Sequence, residues 1–295
     1  MIKLIVSDID GTLIRHGQLE LPAGLFDEIR RLKKLGITFC PASGRQLSSM
    51  QKLFAPVSDE LYYICENGSI VYGPQIYKSA MDRSDVIALA NEILSMPLCE
   101  VFLSGSNMTY LIPKHVRMAA YTELYIRNNY KVLEKPENIP EDIIKVSAFC
   151  ISGEESEFFY PYSGRSVLAD SGFRKQALSD TDTSVPGWHM IKKGDTHEAY
   201  ASLLSEWGSR YNVVDAGNSW VDVTASSKGL GLERLSTALG ISRDEIMAFG
   251  DAENDLSMLE FAGHPYVMES GIELLKNRFP MHCGNVIEVL SEIRG

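Results

Sequence analysis

A short apolar run that ends in two aspartates is the feature that most constrains the fold of this chain. The run LIV at 4–6 is apolar and rich in β-branched side chains, which is typical of a strand buried on both faces. Asp8 and Asp10 follow it closely. Two carboxylates this near each other are unfavourable unless a cation or a shared proton lies between them. The segment therefore predicts a buried strand and a third chemical group at its end.

Length and composition limit the class of protein. The 295 residues are enough for a sizeable core and favour two domains over one. Hydrophobic residues make up 45% of the chain and charged residues 23%, which is typical of a globular protein. The net charge of -11 argues against non-specific nucleic-acid binding, which needs clustered Lys and Arg. A phosphorylated ligand would therefore need positive charge supplied by its own site.

The cysteines and the N-terminal segment predict a cytoplasmic protein. The cysteines are scattered, odd in number and without a CxxC pair, which favours a reducing compartment over a disulfide framework. They are Cys40, Cys65, Cys99, Cys150 and Cys283. The first apolar run is too short for a signal peptide, and no run approaches the length of a membrane span. We therefore expect no membrane association, and no segment predicts a protein partner.

Both ends of the chain alternate strand and helix in the way that is typical of a parallel sheet. After the first strand, a helix is predicted over 22–35, and then a strand over 37–43 that leads into Ser-Gly-Arg. Near the C-terminus a helix from Lys228 precedes a strand at 246–250 and the sequence GDAEND. In such sheets ligands bind at the carboxyl ends of the strands, which is where these polar sequences lie.

Residues 81–224 have a different, mixed pattern. Helices are predicted near 85–94 and 196–207, strands near 100–105, 109–113 and 145–152, and a β-hairpin over 212–224. The sequence therefore predicts an α/β protein with a parallel-sheet domain made of 1–80 and 225–295. An α+β domain of 81–224 is predicted to be inserted into it.

Each polar motif has a simple interpretation when it is taken alone. Asp8, Asp10 and the segment at 250–255 could be acidic turns, Ser43 a helix N-cap, and Lys228 a solvated lysine. Their order, and the position of three of them directly after predicted strands, favour a joint role. The chemistry that these residue types could perform together is phosphoryl transfer.

The acidic residues would form an all-oxygen pocket. Asp8, Asp10, Asp251 and Asp255 offer the hard ligands that Mg²⁺ prefers. A bound Mg²⁺ would offset the repulsion among these carboxylates and the repulsion between a negative nucleophile and a phosphate. A shared metal ion would thus be the third group that the first strand requires.

Three other residues could hold the oxygens of the transferred group. Ser43 offers a hydroxyl and a backbone N–H at a strand-to-helix turn, Lys228 a mobile charge, and Asn254 an amide. An aspartate carboxylate can attack phosphorus and form an aspartyl phosphate. Asp10 could then give a proton to the leaving oxygen and later take one from water.

Four segments resemble the motifs of the haloacid dehalogenase superfamily of phosphatases. They are DIDGT at 8–12, SGR at 43–45, SKG at 227–229 and GDAEND at 250–255. Their order, and the long gap between the second and the third, look like the Cof-type subgroup, also called subclass IIB. The segments ENGSIVY at 66–72 and HPYVM at 264–268 are similar to further parts of that subgroup.

The resemblance implies a Rossmann-like core with an inserted cap domain that determines substrate specificity. It implies Asp8 as the nucleophile and Asp10 as the acid/base. The implied Mg²⁺ site consists of Asp8, the backbone carbonyl of Asp10, and Asp251, with Asp255 supporting through water. The residues implied to bind phosphate or substrate are Ser43, Gly44, Lys228, Asn254, and, near the mouth of the site, Asn67 and Gly68.

The expected function is an Mg²⁺-dependent phosphatase of small phosphorylated metabolites, with sugar phosphates as the expected class. One alternative is a phosphomutase-like phosphotransferase, which would need a cap that excludes water. Another is a non-catalytic sensor of phosphate or Mg²⁺, against which Asp10 argues because a binding site needs no proton shuttle. A two-component receiver fits poorly, given the large insertion and the Asp-x-Asp arrangement.

Cationic residues in the inserted segment could also reach a substrate. They are Arg165, Arg174, His189, Lys192 and Lys193. Solvated surface charge is the simpler interpretation of each.

Overall fold

The chain divides into two compact units. The computed structural model describes residues 1–15, 18, 20–115, 117–126, 128–154 and 191–294. Met1–Ser79 and Ser226–Gly295 form the first unit, and Ala80–Ala225 form the second. These limits lie one residue from the predicted ones, and the role of 81–224 in substrate specificity stays a prediction. Arg165, Arg174 and His189 lie outside the described residues, whereas Lys192 and Lys193 are exposed.

The described strands are numbered along the chain. They are β1 (Leu4–Ser7), β2 (Thr38–Pro41), β3 (Tyr63–Cys65), β4 (Ile70–Tyr72), β5 (Ile76–Lys78), β6 (Cys99–Ser104), β7 (Thr109–Leu111), β8 (Tyr130–Val132), β9 (Lys145–Cys150), β10 (Asn212–Gly217), β11 (Trp220–Thr224), β12 (Ile246–Gly250), β13 (His264–Met268) and β14 (His282–Cys283).

The described helices are α1 (Leu25–Lys34), α2 (Leu47–Leu53), α3 (Arg83–Ser95), α4 (Met118–Tyr121), α5 (His197–Trp207), α6 (Lys228–Leu239), α7 (Leu256–Phe261), α8 (Glu273–Arg278) and α9 (Val286–Glu292). Short 3₁₀ turns cover Ala55–Glu60, Glu66–Gly68, Pro136–Asn138, Arg243–Glu245 and Glu253–Asp255. A π-helical turn covers Thr122–Ile126. Within the described ranges, no helix is long and apolar enough to cross a membrane.

The first unit is built on a five-stranded parallel sheet. Its strand order is β14-β13-β12-β1-β2, so the N-terminal strand lies between a C-terminal strand and β2. Leu4 pairs in parallel register with Ile246 on one side and with Thr38 on the other. All four residues of β1 are buried, as expected for a strand covered on both faces. The predicted α/β class is confirmed.

Helix ends in the first unit follow from local sequence signals. The Ser227 hydroxyl accepts the backbone N–H of Leu230, and this N-cap starts α6 at Lys228. Gly240 ends the helix in a left-handed conformation with φ of 66°. These two residues fix where Lys228 enters the fold. A separate antiparallel sheet of β3, β4 and β5 completes the unit.

The second unit has a six-stranded sheet with the order β10-β11-β9-β6-β7-β8. Its pairs are antiparallel except for β7 with β8. One face packs on α3 and α5 through a cluster that includes Leu89, Ile93 and Leu203. The predicted hairpin of β10 and β11 is present, and its turn residues Asn218 and Ser219 both have positive φ, as a type I′ turn requires.

Two neighbouring leucines of α5 provide a test of the core of the second unit. Leu203 is fully buried, whereas 43% of the surface of Leu204 is exposed. We expect Leu203→Ala to lower the free energy of unfolding by about 2–5 kcal/mol, because it removes buried methyl groups and leaves a cavity. The matched Leu204→Ala should change it by less than about 0.5 kcal/mol. Urea unfolding followed by tryptophan fluorescence measures both, and equal losses would contradict the packing described.

Candidate active site

Three buried carboxylates meet where β1 and β12 end. Asp8 follows β1 and Asp251 follows β12, so their strands bring them to the same edge of the sheet. Asp255 joins them from the 3₁₀ turn after β12. One oxygen atom from each side chain lies within 4.8 Å of those of the other two. This arrangement is suited to a cation, because like charges at this spacing repel each other strongly out of water.

Lys228 supplies a positive charge inside this group. Its Nζ lies 2.6 Å from Asp8 Oδ1 and 2.6 Å from Asp255 Oδ1, and its side chain is completely buried. Burial alone would lower the pKa of Lys228, but the carboxylates of Asp255 and Asp8 raise it above its usual value. The lysine therefore stays protonated. One ammonium group does not neutralise three carboxylates, so the site can accept a further positive charge.

The second oxygen of Asp8 has no hydrogen-bond donor in the part of the chain that the structure describes. Oδ2 is buried and accepts no hydrogen bond from the described residues. Burial raises the pKa of Asp8 well above its usual range, the ammonium of Lys228 opposes this rise, and the carboxylates of Asp255 and Asp251 add to it. A buried carboxylate oxygen without a donor is costly unless a proton or a cation satisfies it. Asp8 therefore has one oxygen that is open to a ligand.

Asp255 uses both of its carboxylate oxygens in hydrogen bonds within the site. Its Oδ2 accepts the backbone N–H groups of Asp251 at 2.9 Å and Ala252 at 3.1 Å, while Oδ1 accepts from Lys228. Both oxygens thus already have donors. This geometry suits the supporting role that the resemblance implies for Asp255 better than direct binding of a metal ion.

The first motif also fixes Asp251. The Thr12 hydroxyl donates to Asp251 Oδ1 at 2.8 Å, a contact between residues that are far apart in sequence. Gly11 has φ of +105°, and a Cβ there would lie 2.1 Å from Asp251 Oδ2. Only glycine fits this position, because a side chain would displace the carboxylate. The predicted site does not include Thr12, although its place in DIDGT is a signal for such a role.

Asp10 lies outside the carboxylate group and pairs with Arg45. Arg45 Nε donates to Asp10 Oδ2 at 2.8 Å, and Nη2 donates to Oδ1 at 2.5 Å. Burial lowers the pKa of Arg45, the Asp10 carboxylate raises it, and the net shift is upward. Both side chains remain about one-third exposed. Sequence analysis missed Arg45 as a partner of Asp10, although Arg45 is the last residue of the SGR motif.

Ser43 differs in one respect from expectation. Its backbone N–H, which was expected to face an anion, donates instead to the carbonyl of Ile64 at 2.9 Å. That expectation was wrong, because a parallel bridge between Ala42 and Ile64 continues the strand pairing past β2. The Ser43 hydroxyl accepts the backbone N–H of Arg45 at 3.2 Å, and the hydroxyl hydrogen is still available as a donor. Gly44, next in the turn, is partly buried.

Asn67 and Asn254 form a second polar contact, and Gly68 lies next to it in the chain. Asn254 Nδ2 donates to Asn67 Oδ1 at 3.2 Å. Asn67 is 1% exposed, and Gly68 is also buried. A Cβ on Gly68 would lie 1.9 Å from the Ser227 carbonyl oxygen, so Gly68 allows the chain to approach the start of α6 closely.

Comparisons with known proteins identify the family. The sequence model of one family, the haloacid dehalogenase-like hydrolases, matches residues 5–165 and 182–288 of this chain. The 5-amino-6-(5-phospho-D-ribitylamino)uracil phosphatase YbjI of Escherichia coli is 26% identical, over 91% of this chain and 86% of its own. The phosphatase YitU of Bacillus subtilis, which is named for the same substrate, is 25% identical, over 92% of this chain and 88% of its own.

A solved structure shares the fold. It is the structure of a sugar phosphatase of haloacid dehalogenase subclass IIB. The two structures superimpose with a TM-score of 0.66 and 20% identity, over 97% of this chain and 95% of the sugar phosphatase chain. This similarity shows the shared fold, and the family match over most of the chain identifies the family. The chain belongs to the haloacid dehalogenase-like hydrolases and is an enzyme of the phosphatase class.

Proposed function

We propose that the enzyme hydrolyses phosphate monoesters of small metabolites with Mg²⁺ and through an aspartyl phosphate on Asp8. The observation that carries this proposal is the buried Asp8 Oδ2, which has no donor among the described residues, beside Asp251 and Lys228. A carboxylate oxygen held without a hydrogen bond keeps its lone pairs available for attack on phosphorus.

The donor set fits Mg²⁺. It consists of carboxylate oxygens only. The single neighbouring ammonium, that of Lys228, leaves part of their negative charge uncompensated. Asp8, Asp251 and the backbone carbonyl of Asp10 would hold the ion, and Asp255 would support it. When bound, the ion would reduce the repulsion between the Asp8 carboxylate and the incoming phosphate.

Residues of the chain would then take part in two successive displacements at phosphorus. Asp8 Oδ2 attacks phosphorus, and the bond from phosphorus to the leaving oxygen breaks while Asp10 gives that oxygen its proton. In the second step Asp10 takes a proton from water as the water oxygen attacks phosphorus and releases Asp8. The side chain of Asp10 is 38% exposed, so water can reach it, and its pair with Arg45 would open for this exchange because both carboxylate oxygens accept from that guanidinium.

Donors around the site would hold the transferred group. Lys228 has three N–H bonds and uses two of them on Asp8 and Asp255, so its third can reach a phosphate oxygen. The Ser43 hydroxyl and the second amide hydrogen of Asn254 would complete the set, with Gly44 in the same turn as Ser43. These donors act on the oxygens where charge accumulates.

Sugar phosphates and related polyol phosphates are the proposed substrates. Two relatives are named for a phosphorylated ribityl compound, and a structural neighbour is named a sugar phosphatase. Their shared chemistry is a phosphate ester on a polyhydroxylated carbon chain. Substrate choice is assigned to 81–224, the inserted cap, because the residues of the acidic site all come from the first unit. All five cysteines are buried thiols that form no disulfide, which supports a cytoplasmic setting.

We expect Asp8→Asn to abolish phosphate release from p-nitrophenyl phosphate. The amide keeps the size of the side chain but is not a nucleophile. Phosphate is measured with and without Mg²⁺, and Asp27→Asn, whose native side chain is 88% exposed, is the control. Turnover by Asp8→Asn at the wild-type rate would exclude Asp8 as the nucleophile.

We expect Asp10→Asn to slow turnover by roughly 10²–10⁴-fold, the usual loss when a general acid/base is removed. The loss should be smaller for p-nitrophenyl phosphate than for a sugar phosphate, because p-nitrophenolate leaves without needing a proton. Steady-state kcat on both substrates measures the difference. A wild-type rate on the sugar phosphate would assign the proton to another residue.

A panel of phosphate monoesters tests the substrate class. We expect a higher kcat/KM for pentose, hexose or ribityl phosphates than for p-nitrophenyl phosphate, and loss of phosphate release when EDTA removes Mg²⁺. Conversion of a sugar phosphate to its isomer without free phosphate would identify a phosphomutase instead. Binding of orthovanadate without any turnover would identify a sensor.

A further inference from the structure

The segment Glu66–Gly68 has an unusual backbone. Three consecutive residues have positive φ: 49° at Glu66, 53° at Asn67 and 85° at Gly68. Two of them carry side chains, which rarely adopt this conformation. Backbone of this kind persists only where its surroundings hold it, and it is concentrated at functional sites.

Contacts to the SGR motif and to the residue just before the SKG motif hold this segment. The backbone N–H of Asn67 donates to the Ser43 carbonyl at 3.0 Å, and that of Glu66 donates to the Arg45 carbonyl at 3.1 Å. On the other side, the Ser226 hydroxyl donates to the Gly68 carbonyl at 2.9 Å, just before α6 and Lys228. The segment therefore connects the turn after β2 with the start of α6.

The Asn67 side chain adds a third connection, to the last motif. Its Oδ1 accepts from Asn254 Nδ2 at 3.2 Å, and Asn67 is 1% exposed. An amide rotates about its terminal bond between two orientations, and an acceptor on one side selects the orientation that directs N–H toward it. Asn67 thereby fixes the direction in which the other N–H of Asn254 points.

We propose that Asn67 is a positioning residue that orients the Asn254 amide toward the phosphoryl group and does not itself bind substrate. This inference rests on the proposed function. The burial of Asn67 and its contact with Asn254 favour it over direct binding at the mouth of the site. The left-handed backbone at Asn67 places its Oδ1 within hydrogen-bond distance of Asn254 Nδ2.

Substitution of Asn67 by glycine distinguishes the effect of its side chain from the effect of its backbone conformation. Asn67→Gly removes the acceptor, and glycine adopts φ of 53° without strain. Asn254→Ala removes the oriented amide. We expect each single variant to lower kcat/KM for p-nitrophenyl phosphate by about tenfold or more, a loss that corresponds to about 1.4 kcal/mol. The double variant should be no slower than Asn254→Ala alone, because Asn67 would then have nothing left to orient.

Asn218→Gly is the matched control, since Asn218 also has positive φ, at 52°, and lies in a hairpin turn of the second unit. Its turnover of p-nitrophenyl phosphate should equal that of the wild type. Inhibition by orthovanadate gives a readout without turnover: its Ki should rise in Asn67→Gly and rise no further when Asn254→Ala is added.

Additive losses would overturn the inference. If Asn67→Gly lowers kcat/KM by the same factor with and without Asn254, Asn67 acts independently of that amide. Circular dichroism of the variants establishes that they share the wild-type fold. Absence of phosphate release by the wild type on every monoester would refute the proposed function instead, so the two failures are distinguishable.

Discussion

The buried pairing of Lys228 with Asp8 and Asp255 is the interaction on which the site depends. Three carboxylates out of water would be unstable without a cation, and the completely buried lysine lies 2.6 Å from two of them. Its position requires the N-cap that starts α6, and the carboxylates require β1 and β12 to be neighbours. The ion pairs therefore connect the two ends of the chain, and they hold Asp8, the proposed nucleophile, in place.

Sequence predicted the α/β fold because the signals for it are local. Apolar strands of three to six residues, helices with caps such as Ser227 and Gly240, and polar residues directly after strands all follow from short-range patterns. Since parallel strands share a carboxyl edge, the meeting of Asp8 and Asp251 could be anticipated without knowing any distance.

Other features could not be predicted because they depend on tertiary packing. The pairing of Arg45 with Asp10 crosses 35 positions, and the bond from Thr12 to Asp251 crosses 239. The Ser43 N–H was misjudged because the bridge between Ala42 and Ile64 has no local signature. The contact between Asn67 and Asn254 arises from three left-handed residues, which a sequence pattern does not announce.

The first unit is made of two segments separated in sequence by the second unit, and this has a consequence for biosynthesis. Leu4 pairs with Ile246, which leaves the ribosome roughly 10–50 s later at ordinary rates of translation. During that interval the apolar strand β1 lacks one neighbour, and the whole of the second unit, Ala80–Ala225, is synthesised before that neighbour. Nascent chains of this enzyme therefore carry an unpaired edge on β1 until Ile246–Gly250 emerge, and such an edge is a template for pairing with another chain.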